Sequence, residues 1–362
     1  MRGKIKFLIL LIFFPFMAFS QQDSIVYKIG QMIMMGFSGT SIDTSGSFYK
    51  DIRDGKTGGI SIYELNLTAA NTAENLHSVI SGLQSVSPIP LFIAITQEGG
   101  QVNRLKTKYG FPPMPSADYI GKLDNIDSTK YYADNTAFTL SRLGINLNFA
   151  PVVDVFMPNN PVLGSRERTY SANTPIIIKH SRQFILSHNY FKVNTALKHF
   201  PGHGSSTTDS HLGLTDMSKT WKEEELLPYR QLMKEGLVKA IMTAHIVNEN
   251  LDKEKLPATL SKKIITDLLR KQMGFTGVVF SDDMNMKAIS SEYGFNDAIE
   301  KSINAGVDVL LFSGTRIAGN FSSASDIVNI ILQLVNEGKI SKERINESYN
   351  RILRMKNERA LL

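Results

Sequence analysis

Eight short apolar runs alternate with amphipathic helical stretches along this chain, and that alternation restricts its fold more than any other feature. The runs are 32–37, 59–63, 91–96, 146–153, 193–199, 240–245, 278–281 and 307–312. Helical periodicity marks 69–86, 129–143, 174–190, 221–235, 261–272, 284–305 and 323–336, and 341–358 closes the chain. Most of the runs are almost continuously apolar, so they belong to strands buried on both faces, as in parallel sheets covered by helices. Eight strand–helix alternations predict a single (β/α)8 TIM-type barrel. A doubly wound open sheet is the alternative, and the count of eight favours the barrel. Thr220-x-x-Glu223 reads as a capping box and Gly236 as a helix stop, while Gly274 and Gly306 separate helices from the strands that follow.

The first twenty residues stand apart. Arg2, Lys4 and Lys6 precede an apolar stretch over 7–17, and Ala18-Phe19-Ser20 is a small-x-small cleavage site. This is the pattern of a signal peptide over 1–20, with 21–362 as the exported domain, periplasmic or secreted. The apolar stretch is short for a membrane span, so no stable membrane insertion is expected after cleavage. The chain has no Cys, which excludes a lipid-modified Cys and means that the fold uses no disulfide. Three of the basic residues behind the net charge of +6 lie in the signal segment. The remaining charge is too weak to argue for a nucleic-acid partner.

In a (β/α)8 barrel the chemistry sits at the C-terminal ends of the strands, and polar residues accumulate there in this sequence. Run 91–96 ends in Thr96-Gln97-Glu98-Gly99-Gly100, with Arg104 shortly after. Run 146–153 leads into Asp154 and a long loop carrying Arg166 and Arg168. Run 193–199 ends in Lys198-His199, run 240–245 in His245, and run 278–281 in Ser281-Asp282-Asp283. His77, His180 and His188 fall on helices and read as structural or surface residues.

The densest stretch is KHFPGHGSSTTDSH, 198–211. Pro201, Gly202 and Gly204 forbid a helix there, so the i, i+4 pair His199/His203 lacks the geometry of a helical zinc site, and no metal and no cofactor are expected. Asp209 and His211 are two apart, close enough in a loop for a carboxylate to orient an imidazole and raise its basicity. With Asp282 on a rigid strand end, this supplies a carboxylate nucleophile and a proton-transfer group. That pairing suits retaining glycoside hydrolysis, with His211 (ordinary pKa ~6.5) replacing the usual second carboxylate. Asp283 is expected to point away from Asp282's face, and Glu98 to be structural.

These residues resemble glycoside hydrolase family 3 in its β-N-acetylglucosaminidase branch. The resemblance runs from about Ile29 to Lys356 and rests on QEGGQVNRL, NFAPVVDV, NPVLGSR, KHFPGHG with the following DSH, GVVFSDDM and RILRMK. It implies that Asp282 is the nucleophile, His211 the acid/base and Asp209 its partner. Lys198, His199 and Arg104 are implied substrate ligands, and the length fits the single-barrel form of the branch, without the additional domain that some members carry. The implied substrates are cell-wall (muropeptide) or chitin-derived oligosaccharides bearing a terminal β-N-acetylglucosamine. Two departures stand out. Thr96 replaces the Asp that precedes QEGG in the family and binds sugar hydroxyls. The family's substrate Arg is matched from the left by Arg166 and from the right by Arg168, with Arg166 favoured. Two other functions fit the same residues: a phosphorylase, since a His acid repels phosphate less than a carboxylate would, and a sugar-binding protein with a decayed site.

Overall fold

Strands form where the sequence is apolar and β-branched, and all eight close into one ring. In the computed structural model, which describes residues 24–209, 213–314 and 323–360, the barrel strands are β1 (Ile33–Gly36), β2 (Gly59–Ile62), β3 (Phe92–Ile95), β4 (Leu147–Asn148), β5 (Asn194–Phe200), β6 (Ala240–Thr243), β7 (Val278–Asp283) and β8 (Val309–Phe312). Each pairs in parallel with its sequence neighbours, and β8 returns to β1 with Leu310 opposite Ile33. The expected (β/α)8 barrel is therefore the observed one. Phe92, Phe149 and Phe280, from β3, the end of β4 and β7, meet edge-on at 5.5–5.7 Å and help fill the interior.

The helices are α1 (Ile25–Gln31), α2 (Ser47–Arg53), α3 (Thr72–Val86), α4 (Ala117–Leu123), α5 (Ile126–Arg142), α6 (Thr174–Tyr190), α7 (Leu227–Lys234), α8 (Lys263–Gln272, of π type), α9 (Lys287–Ser290), α10 (Phe295–Ala305), α11 (Ala324–Asn336) and α12 (Lys342–Ala360). The short α1, α2 and α4 escaped the sequence reading because seven residues give too little periodicity. The expected helix over 284–305 divides into α9 and α10, with Gly294 at the second N-terminus. Thr220 does not cap the helix before β6. A 3₁₀ turn over Glu223–Leu226 comes first, and α7 starts around Pro228, whose missing N–H is tolerated only in a first turn. Gly236, Gly274 and Gly306 do take positive φ at helix ends.

Asp308 closes the N-terminal face of the barrel. Fully buried before β8, it accepts bonds from Arg270 (2.5 Å), Arg344 and Arg351 (both 3.1 Å) and Ser348 (2.8 Å), stitching α8 and α12 to the strands. That tie leaves the opposite, C-terminal rim free to carry chemistry. No helix of the described residues is long and apolar enough to cross a membrane. The expected signal segment 1–20 lies outside the described residues.

Candidate active site

A cleft of about 620 Å³ opens at the C-terminal rim, within the size range of small-molecule sites. Thr96, Arg104, Arg166, Arg168, Lys198, His199 and Asp282 all border it. Sequence separations of up to 186 positions are thus collapsed onto one rim by the barrel.

Glu98 is the hub of its inner wall. Its carboxylate takes a bidentate pair of bonds from Arg168 (Nε and Nη2, both 2.8 Å) and a third contact from Lys198 Nζ at 2.6 Å. All three side chains are buried. Burial alone would push Glu98 up, but the Arg168 and Lys198 cations outweigh it and hold the carboxyl far below its usual range. The loop that delivers Glu98 needs its glycines. Gly99 has φ +106, and a Cβ there would lie 2.1 Å from the Pro115 carbonyl oxygen. Gln97 ties the same loop down, accepting from the Arg104 and Leu105 N–H groups at 2.9 and 3.1 Å.

His199 is fixed from behind. Asp154, fully buried beyond β4, accepts from His199 Nδ1 at 2.7 Å, from the His199 N–H at 3.1 Å and from the His203 N–H at 2.8 Å. The other ring nitrogen lies 3.3 Å from Arg168 Nη2, which joins the two buried clusters into one wall. Burial works against ionisation of Asp154, yet His199 and His203 keep its pKa below the ordinary value.

Asp282 faces this wall from β7. Burial raises its pKa, but His245, His199, the Asp283 N–H and Lys198 more than compensate, so it is held ionised below the usual carboxylate value. Asp283 also borders the cleft, contrary to the expectation that it points away. The register between β7 and β8 shifts at this point, which breaks the simple alternation of faces. Its carboxylate is nonetheless taken up by the Ser313 N–H (3.0 Å), the Ser313 hydroxyl and the Asn285 N–H (3.0 Å), and burial pushes its pKa up. It braces the end of β8. His245 stands behind both acids, donating from Nε2 to the Asp283 carbonyl at 3.0 Å, and does not border the cleft.

The two Arg residues of the long loop have different places. Arg168 is buried in the Glu98 network, whereas Arg166 is exposed at the rim. Among the other His residues, His180 and His188 are buried and bonded to Thr129 and Asn148, and His203 is buried with its pKa lowered to about 4 by desolvation. Asp209 is half-buried in the loop after β5. His211 lies outside the described residues. No group of three or more metal-ligating side chains converges among the described residues.

The sequence reading missed the groups that clamp the start of the loop after β5. Asn160 Nδ2 donates to the His203 and Gly204 carbonyls, both at 2.8 Å, and Trp221 Nε1 to the Pro201 carbonyl at 3.1 Å. Glu225, only 1 % exposed, accepts from the Gly204 N–H at 2.9 Å and from the Ser205 hydroxyl. Nothing local marks Glu225, because it sits in a run of three consecutive Glu that reads as a solvated face.

Burial, aided by the nearby Asp154 charge, pushes Glu225 up to about 7 from an ordinary 4.5. The folded protein therefore holds a proton between about pH 4.5 and 7 that the unfolded chain releases, and stability falls as pH rises through that window. Glu225→Gln cannot ionise. Relative to the native protein it should gain about 1–3 kcal/mol on going from pH 4.5 to 7.5. Urea melts at both pH values check this, and a constant difference would exclude Glu225 as the titrating group.

The same fold recurs in known proteins. The model of the glycosyl hydrolase family 3 N-terminal domain matches residues 24–355. A curated β-hexosaminidase A of Pseudoalteromonas piscicida is 36% identical over 293 residues, covering 75% of this chain and 48% of that protein. A β-hexosaminidase of Tolumonas auensis is 32% identical over 270 residues, covering 73% of this chain and 78% of its own length. The solved structure of a family 3 β-N-acetylglucosaminidase from Paenibacillus sp. aligns with a TM-score of 0.85 at 33% identity, over 93% of this chain and 63% of that one. This chain thus spans about half the length of the first of these relatives. With the family model matching residues 24–355, nearly all of the described barrel, the chain belongs to glycosyl hydrolase family 3.

Proposed function

We propose that this protein is an exported, retaining β-N-acetylhexosaminidase that removes terminal β-N-acetylglucosamine from cell-wall or chitin-derived oligosaccharides. Asp282 carries the reading: a carboxylate held ionised on a strand end, bordering a sugar-sized cleft and facing a wall of fixed Lys, His and Arg donors. The names of the similar proteins, β-hexosaminidase and β-N-acetylglucosaminidase, supply the sugar. Residues 1–20 supply the export signal.

In this mechanism an Asp282 oxygen attacks the anomeric carbon as the bond to the leaving oxygen breaks, and His211 gives that oxygen its proton. Water then attacks the glycosyl-enzyme ester while His211 takes a proton back, with Asp209 orienting the ring. Lys198, His199 and Arg168, which cannot drift because Glu98 and Asp154 hold them, hydrogen-bond the sugar during both steps.

The test is leaving-group dependence. His211→Ala should lower kcat/KM for N,N′-diacetylchitobiose by roughly 10²–10⁴-fold, because an alkoxide needs a proton to depart. The dinitrophenyl glycoside, whose leaving group needs none, should lose much less in the same parameter. Equal losses on both substrates would mean that the acid lies elsewhere.

A further inference from the structure

We propose that the part of the cleft remote from Asp282 is built for an anionic substituent on the sugar, a sulfate or phosphate ester, rather than for a neutral hydroxyl. The inference rests on the reading of Asp282 as the nucleophile. In the closed ring β3 lies four strands from β7 in either direction, so the two face each other across the barrel. A pyranose with its anomeric carbon at Asp282 therefore points its C4–C6 edge at the end of β3.

That edge meets a wall made by Tyr63, Thr96, Gln101, Val102 and Arg104, with Asp283 beside Tyr63; the Asp283 carboxylate is taken up by Ser313 and the Asn285 N–H, which leaves Arg104 as the cation of the wall. The acids nearest in sequence to this wall are spent on other cations. Glu64 is paired with Lys106 and Lys108 at 2.5 and 2.8 Å, and Glu98 with Arg168 and Lys198. Arg104 has no ion pair among the described residues, and its Nε is buried with no acceptor. Arg104 borders the cleft, and a guanidinium with no carboxylate partner is best met there by a two-oxygen anion. Thr96, bordering the same wall, is where a carboxylate would both neutralise Arg104 and repel such an anion. Its hydroxyl does neither and adds one more donor.

The experiment compares the 4-methylumbelliferyl β-N-acetylglucosaminide with its 6-O-sulfate and 6-O-phosphate, using the native full chain, Thr96→Asp and the neutral control Thr96→Asn. The native protein and Thr96→Asn should favour at least one of the two esters over the unsubstituted sugar by roughly 10- to 100-fold in kcat/KM, the scale of one charge-assisted hydrogen bond. The two ester arms tell sulfate from phosphate. Thr96→Asp should reverse the preference. A native protein that favours the neutral sugar over both esters would overturn the proposal while leaving the hexosaminidase reading intact. A ratio that Thr96→Asp leaves unchanged would do the same. Failure of the native protein to cleave any of the three sugars would overturn the hexosaminidase reading and this inference with it.

Discussion

Asp282→Ala should leave a folded barrel whose turnover is reduced by ~10⁴-fold or more, because a nucleophile has no substitute in the step that it performs. The position tolerates the change structurally. Asp282 is half-buried at the end of β7, and its one hydrogen bond among the described residues is from the adjacent Asp283 N–H at 2.8 Å. The core strand residues that precede it, Val278–Phe280, are untouched. The melting temperature should therefore stay within a few degrees of the native value. The decisive companion measurement is intact-protein mass after treatment with a slow fluorinated N-acetylglucosaminide. Native protein should gain one sugar on the peptide containing Asp282, and the variant none. More than a few per cent of native kcat in the variant would remove Asp282 from the role.

Glu98→Ala should be damaging in a different way. It leaves Arg168 and Lys198 buried without their counter-charge, and breaking a buried ion pair from one side costs about 3–5 kcal/mol. Turnover should fall as well, since the Lys198 ammonium and the Arg168 guanidinium lose the group that aims them. Glu98→Gln keeps the shape and one acceptor and should fall between the two. Denaturant melts and kcat/KM on one aryl glycoside measure both effects. If Glu98→Ala melts like the native protein, the buried network is not a source of stability. The sequence reading of Glu98 as structural is therefore half of the picture: it holds the fold and it holds two groups that border the cleft.

The backbone pattern was legible because it is local. Apolar runs, helix stops at Gly236, Gly274 and Gly306, and the count of eight follow from periodicity and glycine stereochemistry, which neighbouring residues settle among themselves. The strand-end rule then drew Thr96, Arg104, Arg166, Arg168, Lys198, His199 and Asp282 to one rim, where all seven border the cleft. Thr220 and Asp283 show where that logic stops. Pro228 moved the helix start, and a register shift between β7 and β8 turned Asp283 toward the cleft.

Partnership was decided only in three dimensions. Nothing in the order of residues says that Glu98 belongs to Arg168 and Lys198, 70 and 100 positions away, or that Asp154 holds His199. Nor does it say that Glu225, one of three adjacent Glu, is the one driven into the protein and up to about 7. Arg166 and Arg168 are two residues apart and alike in sequence, yet one is buried in a salt-bridge network and the other is exposed. By itself the sequence determined the barrel, the rim and the residue types on it. Which charges neutralise one another, and that Arg104 is left with an unmet donor, depended on packing, because the energy of a charge is set by its burial and its neighbours in space.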